Sequence, residues 1–278
     1  MWEIVACDLC GGERFHELYP STLPPDDEQA ARYFASSRQR VGHGRIVQCD
    51  ACGLIMTNPR DNADTLAQVY RSLEDRAYDA EDHTRRITAR DHLALVHAHR
   101  STPGRLLDVG CSTGIFALVA HEAGWQVTGL EPSSWAVRVA RERCPAAIFL
   151  EAGLEDADLP VEQFDVIVLW DVLEHVSSPT YALERIYQWL KPGGWLFMNL
   201  PNADSLVARL MGSSWVLLLR EHLWYFSPTT IHLLLEKAGL RLERVAPSRV
   251  TYTLHNVFVR LTQYQGSVLT RLARSLVG

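Results

Sequence analysis

Between residues 105 and 239, short apolar runs of strand length alternate with longer stretches whose apolar residues recur at helical spacing. The runs are "RLLDVG" (105–110), "QVTGLE" (126–131), "AIFLEA" (147–152), "DVIVLW" (165–170) and "WLFMNLP" (195–201). Between and after them, "GIFALVAHEAG" (114–124), "PSSWAVRVARERC" (132–144), "SSPTYALERIYQWLKPGG" (177–194) and "SPTTIHLLLEKAG" (227–239) predict helices, and "LRLERV" (240–245) follows as a last strand-like run. The last two helices open on Ser-Pro and stop at glycine. Serine caps the first amides, proline has its φ already set for the first turn, and glycine tolerates the left-handed stop. Strands this apolar are covered on both faces, and alternation with helices makes them parallel. The predicted fold class is α/β: a doubly wound, mostly parallel sheet beside a small N-terminal module.

The first hundred residues read differently. "RIVQ" (45–48) is strand-like and "PPDDEQAARYFA" (24–35) a short helix with acids in its first turn. "DNADTLAQVYRS" (61–72) is a helix capped by Asp or Asn, and "ITARDHLALVHAHR" (87–100) a helix leading into the first parallel strand. The chain divides into a small N-terminal module (1–60), a helical linker or lid (61–100), the main domain (101–250) with an insert at 202–227, and a C-terminal extension (251–278). The end of the extension has apolar residues near helical spacing, Arg260, Arg271 and Arg274, and no acids. Packing on the domain is its default; a membrane-surface or partner helix is the alternative.

A length of 278 residues suits one large domain plus a small one, and 47% apolar content supplies a core. No apolar run approaches spanning length and the N-terminus lacks a signal-peptide pattern, so the expected location is cytoplasmic. A net charge of −6 argues against bulk nucleic-acid binding.

Four of the six cysteines fall in a doubled motif, "CDLCG" (7–11) and "CDACG" (49–53). Two intervening residues let both thiolates of a pair face one ion, and the following glycine permits the positive φ of such a turn. In a reducing compartment this spacing points to metal rather than disulfide. Cys7, Cys10, Cys49 and Cys52 are therefore read as a closed, structural zinc site. A module this small needs the ion for its folding energy. Cys144 fits no ligand spacing, and His16 and His43 read as surface histidines.

The first βα crossover carries chemistry. "LLDVGCSTG" places Asp108 at a strand end, then Gly110, Cys111, Ser112 and Gly114, so the backbone turns sharply beside a helix N-terminus. Glu131 ends the next strand, 23 residues after Asp108, where an acid accepts hydrogen bonds from ribose hydroxyls. The acid at that distance favours a nucleoside site over a plain tight turn.

"LLDVGCSTG", "GLEPS", "FDVIVLWDVLEHV" and "LKPGGWLFMNLPN" resemble, in order, the motifs of class I S-adenosylmethionine-dependent methyltransferases, over roughly residues 100–250. Ser112 stands where glycine is commoner. The cysteine knuckles followed by "TNPR" resemble a zinc-ribbon-bearing branch associated with sugars, glycans and other small metabolites. The resemblance implies a Rossmann-like, doubly wound, mostly parallel sheet, S-adenosyl-L-methionine as cofactor and such a small molecule as acceptor. An RNA acceptor gripped by the zinc module and an inactive binding protein are the alternatives. It also implies a residue map. Asp108, Gly110, Cys111, Ser112 and Gly114 surround the methionine and ribose, and Glu131 holds the ribose hydroxyls. Pro132, Ser133, Leu154 and Glu155 lie by the adenine, while Trp170 and Asp171 face the methionyl end and the acceptor. The family usually closes its sheet with a seventh, antiparallel strand, for which the residues after 245 offer only "VTYTLHNVFV".

A sulfonium is an activated donor, so aligning the acceptor supplies most of the acceleration. A hydroxyl acceptor also calls for a base near neutral pKa, and histidine suits. The catalytic candidates are His175, in "LEHV", and His222, in the insert "GSSWVLLLREHLWYF"; His175 would otherwise bond a loop. Trp215, Trp224, Tyr225 and Phe226 would wall the acceptor site, or else pack the insert on the sheet. Tyr70 and Tyr78 would lid the cofactor, with a plain linker role the default for Tyr70, and the histidines of 87–100 read as a polar helix face.

Overall fold

The computed structural model describes residues 2–23, 42–249 and 251. The helix expected at 24–35 and the C-terminal extension beyond Thr251 lie outside them. The N-terminal module holds β1 (Trp2–Glu3), β2 (Phe15–Tyr19), β3 (Ile46–Cys49), β4 (Ile55–Thr57) and β5 (Arg60–Asp61). Three helices follow: α1 (Ala63–Arg71), α2 (Arg76–Ala80) and α3 (Asp82–His99). Then come β6 (Arg105–Val109), α4 (Ile115–Glu122), β7 (Gln126–Glu131), α5 (Ser134–Arg143), β8 (Ile148–Glu151) and β9 (Phe164–Trp170). The last elements are α6 (Pro179–Trp189), β10 (Leu190–Asn199), α7 (Leu206–Met211), β11 (Trp224–Tyr225) and α8 (Pro228–Lys237). No described helix is long and apolar enough to cross a membrane.

The main sheet is parallel throughout, in the order β10-β9-β6-β7-β8. Alternate residues of β9 enter different cores. Ile167 and Leu169 face α6, α8 and the N-terminal module, while Val166 and Val168 face α3, α4 and α5. The chain reverses its winding direction between β6 and β9, and ligands bind at the strand ends of such a switch point.

The capping chemistry is as the sequence indicates. Asn62, Ser133, Ser178 and Ser227 cap α1, α5, α6 and α8. Three expectations need correction. The helix read to Gly194 ends at Trp189: Leu190 is drawn into the sheet opposite Phe164, and Pro192-Gly193-Gly194 form an irregularity within β10. "LRLERV" makes no strand, because only Leu240 and Leu242 pack on the core and the rest is exposed. His43 is buried, with Nδ1 at 2.7 Å from the Gly44 carbonyl.

The N-terminal module is not a separate bead. Its four-stranded sheet runs β11-β4-β3-β2, so its edge strand β11 comes from the distant insert, with Trp224 opposite Met56 and Tyr225 opposite Ile55. A second tie is Asp8, inside the first cysteine knuckle. Its carboxylate accepts from Ser178 Oγ at 2.6 Å and Thr180 N at 2.7 Å. It thereby sits on the positive end of α6. Lys237 Nζ donates to the carbonyls of Asp8 and Leu9, both at 3.0 Å. Replacing Asp8 by Ala should lower stability by about 1–3 kcal/mol in urea unfolding, from charge-assisted bonds lost at a helix end. A loss below about 0.5 kcal/mol, the size of an ordinary surface change, would contradict this coupling.

Candidate active site

After β6 the backbone passes through three positive-φ residues, Gly110 (φ 69), Ser112 (φ 48) and Gly114 (φ 75). A Cβ on Gly110 would lie 2.6 Å from Val172 Cγ2, and one on Gly114 would lie 2.9 Å from Ala140 Cβ, so glycine is needed at both on two counts. The Gly110 amide donates to the Leu130 carbonyl at 2.7 Å, tying the loop to the end of β7. There Glu131 accepts from Ser112 N at 3.0 Å and Ser133 N at 2.9 Å. Burial raises its pKa to about 7 against the pull of those two amides. Asp108 is buried, and its Oδ2 has no hydrogen-bond partner. Burial, then the nearby Glu131 charge, pushes its pKa well up. Two carboxyls held by a turned backbone, one oxygen unsatisfied, fit a ligand that brings hydroxyls and positive charge.

The other predicted cofactor residues divide. Cys111 is buried under the loop, and Pro132 precedes Ser133 at the start of α5. The Ser133 hydroxyl caps α5 and donates to the Leu73 carbonyl at 2.7 Å, which draws the segment after α1 over this edge. Leu154 is buried in the core, and Glu155 Oε1 accepts from Ser177 N at 3.3 Å. Asp171 has φ 57 and accepts from Asn199 Nδ2 at 2.5 Å. Trp170 stacks on His92 with ring centroids 4.0 Å apart, and Phe116 meets it edge-on. His92 is therefore no mere polar face. Burial pushes its pKa down to about 4, and neither its Nε2 nor Trp170 Nε1 has a partner.

On the far side of the strand ends, Glu174, His175 and His222 bring ligand-capable atoms within 4.8 Å of one another. The two rings meet edge to face at 4.8 Å. His175 Nδ1 lies 2.9 Å from the Glu221 carbonyl and 3.0 Å from Tyr70 Oη. His222 Nδ1 lies 2.9 Å from the Leu217 carbonyl. A carbonyl can only accept, so each Nδ1 carries the proton and each Nε2 is the acceptor nitrogen. Burial pushes the His175 pKa down to about 4. Glu174 is buried with Oε2 unpartnered; burial, then the Asp171 charge, raises its pKa well above the usual range. Tyr70 corrects the linker reading, since α1 delivers it directly to His175. The insert aromatics are core: Trp215, Trp224, Tyr225 and Phe226 are all buried, while His222 brings its ring nitrogens to this cluster and meets the Tyr225 ring edge-on.

The four cysteines converge as their spacing predicts. Cys7 and Cys52 have Sγ atoms 3.5 Å apart, as do Cys10 and Cys49, and all four lie within 4.8 Å. Tetrahedral zinc with ~2.3 Å bonds needs sulfurs ~3.8 Å apart, so the donor set fits that ion. Gly11 (φ 72) and Gly53 (φ 77) close the knuckles, donating to the Cys7 and Cys49 carbonyls.

A family model described as a methyltransferase domain matches residues 79–245, leaving the cysteine module outside. A ubiquinone biosynthesis O-methyltransferase of Thiobacillus denitrificans is 29% identical over 153 residues, 51% of this chain and 66% of its own length. That of Albidiferax ferrireducens is 35% identical over 123 residues, 41% of this chain and 48% of its own. The chain thus spans about half to two-thirds of these relatives. Magnesium protoporphyrin IX methyltransferase from Synechocystis, solved with SAH, aligns with TM-score 0.50 over 60% of this chain and 78% of that one. Its 17% identity makes this a likeness of fold alone.

Two outcomes follow from the geometry. Protein purified without chelator should carry one equivalent of zinc by elemental analysis, and Cys49→Ser should lose it; metal-free wild type with four reactive thiols would refute the site. The second concerns Glu131. Its folded pKa is about 7 against an ordinary 4.5, so the folded state holds the extra proton between those values. Its contribution therefore falls as pH rises through that window. Without ligand, Glu131→Gln should gain stability relative to wild type from about pH 4.5 to 7. Parallel stability–pH curves would show that Glu131 is not so perturbed.

Proposed function

This chain belongs to the methyltransferase domain family, and on that premise we propose that it moves the methyl group of S-adenosyl-L-methionine to a hydroxyl of a small-molecule acceptor, a sugar, glycan or other metabolite. The observation that carries this reading is the pairing of two sites across one row of strand ends. The carboxyls of Asp108 and Glu131 lie at the ends of β6 and β7, and the Tyr70–His175–His222 cluster lies beyond β9. When bound, the cofactor supplies a methyl group on a positively charged sulfur.

Glu131 would hold the ribose hydroxyls with the lone pairs its two amide bonds leave, and Asp108 would satisfy its buried oxygen on the same ligand. Gly110, Cys111, Ser112 and Gly114 would shape the cradle, Pro132, Ser133, Leu154 and Glu155 would lie on the adenine side, and Trp170 and Asp171 would serve the methionyl end. His222 would take the acceptor hydroxyl's proton at Nε2. His175, held neutral by burial, would orient the acceptor with Tyr70 behind it. The oxygen acceptor is supported by the relatives, which are O-methyltransferases by name. The zinc proposed for Cys7, Cys10, Cys49 and Cys52 is structural, its four thiolates leaving no open position.

The test is transfer of labelled methyl from cofactor to a panel of sugars, sugar nucleotides and phenolic metabolites. In calorimetry Glu131→Ala should weaken cofactor binding at least tenfold, having lost two bonds worth roughly 1.5–3 kcal/mol each. His222→Ala should lower turnover by about 10²–10⁴-fold and leave cofactor affinity alone. Unchanged affinity in folded Glu131→Ala would remove the ribose role; full turnover in His222→Ala would remove the base.

A further inference from the structure

We propose that Thr57, in the cysteine module, is a positioning residue for His222, which makes the module the rear wall of the acceptor site. The β4–β11 ladder pairs Tyr225 with Ile55 and Trp224 with Met56. One step further, the Thr57 amide donates to the Leu223 carbonyl at 2.9 Å. The regular pairing then ends, and the next carbonyl, that of His222, accepts from the Thr57 hydroxyl at 2.9 Å. A side chain thus extends the sheet by one residue, to the residue whose ring enters the polar cluster.

Thr57 is 3% exposed and His222 5%, so water does not compete for this bond. On its other side the segment is held by the loop after β9, where the Glu174 carbonyl accepts from Leu223 N at 2.8 Å and Trp224 N at 3.2 Å. The ring is tied to its own loop through the Leu217 carbonyl. The direction of that loop is set at residues 222–224, between Thr57 and Glu174. Thr57 is itself fixed by the knuckle, whose Cys49 amide donates to Leu54 just before β4.

The catalytic sense of this assignment rests on the reading of His222 as the acceptor-side base, but its test reads the ring. The full-length protein as purified, with ¹⁵N-labelled histidine, is compared by NMR as wild type, Thr57→Val and Thr57→Ser. Valine keeps the branched shape that suits a strand and removes only the donor; serine keeps the donor. Thr57→Val should shift the His222 ring nitrogens away from the single Nδ1–H form, and Thr57→Ser should restore them. His97, bonded to Trp125 on the other side of the sheet, should stay put in both. With an acceptor in hand, Thr57→Val should lower kcat with cofactor affinity unchanged, and Thr57→Ser should not. His222 signals that coincide in wild type and Thr57→Val overturn the proposal.

Should Thr57→Val not fold, the wild type decides. Exchanging the Thr57 hydroxyl proton for deuterium should shift the His222 carbonyl carbon, and no isotope shift overturns the contact. A ring that moves in Thr57→Val while His222→Ala keeps full turnover retains the positioning and overturns the base reading alone.

Discussion

The pairing of β4 with β11 is the constraint on which the Glu174–His175–His222 cluster depends. Two residues of the insert, Trp224 and Tyr225, find their strand partners in the cysteine module and not in the parallel sheet. The Trp224 indole donates to the Val176 carbonyl at 2.8 Å, so the same residue grips the loop after β9. Module, insert and strand-end loop therefore share one hydrogen-bonded seam. Asp8 repeats the connection at the N-terminus of α6. A metal-sized cluster of thiols thus belongs to the same framework as the Glu174–His175–His222 cluster.

The row of strand ends is organised by cost. Asp108, Glu131 and Glu174 are carboxyls that burial drives toward the protonated form. Groups of this kind detract from the stability of the folded chain unless a ligand completes them. The protein tolerates them at or beyond the C-terminal ends of strands whose interiors are mostly apolar, as is β9 from Val166 to Trp170. Stability is supplied by the sheet and withheld at its rim.

How much of this was legible follows from the range of each signal. The parallel strands, the Ser-Pro helix starts, the glycine turn and the cysteine knuckles are local, with causes a few residues away. Glu131 was readable because a strand of known length places its end. Tyr70, His92 and Thr57 were not, because their partners His175, Trp170 and His222 are distant in sequence and no periodicity connects them. β11 is two residues long and leaves no alternating pattern to detect. The end of α6 was misplaced for a tertiary reason: Leu190 gains more from pairing beside Phe164 than from one more helical turn.

The same seam has a temporal side. Thr57 and His222 are 165 residues apart, so on the ribosome β4 is made long before the strand that covers it. Through that interval β4 presents an open edge, with its Met56, and Ile46 on the neighbouring β3, destined for full burial. The parallel sheet, with its nearer neighbours, can close first. Edge protection during synthesis then falls to the knuckles. The metal proposed for the four cysteines, if captured early, would hold β3 and β4 in register until the insert arrives.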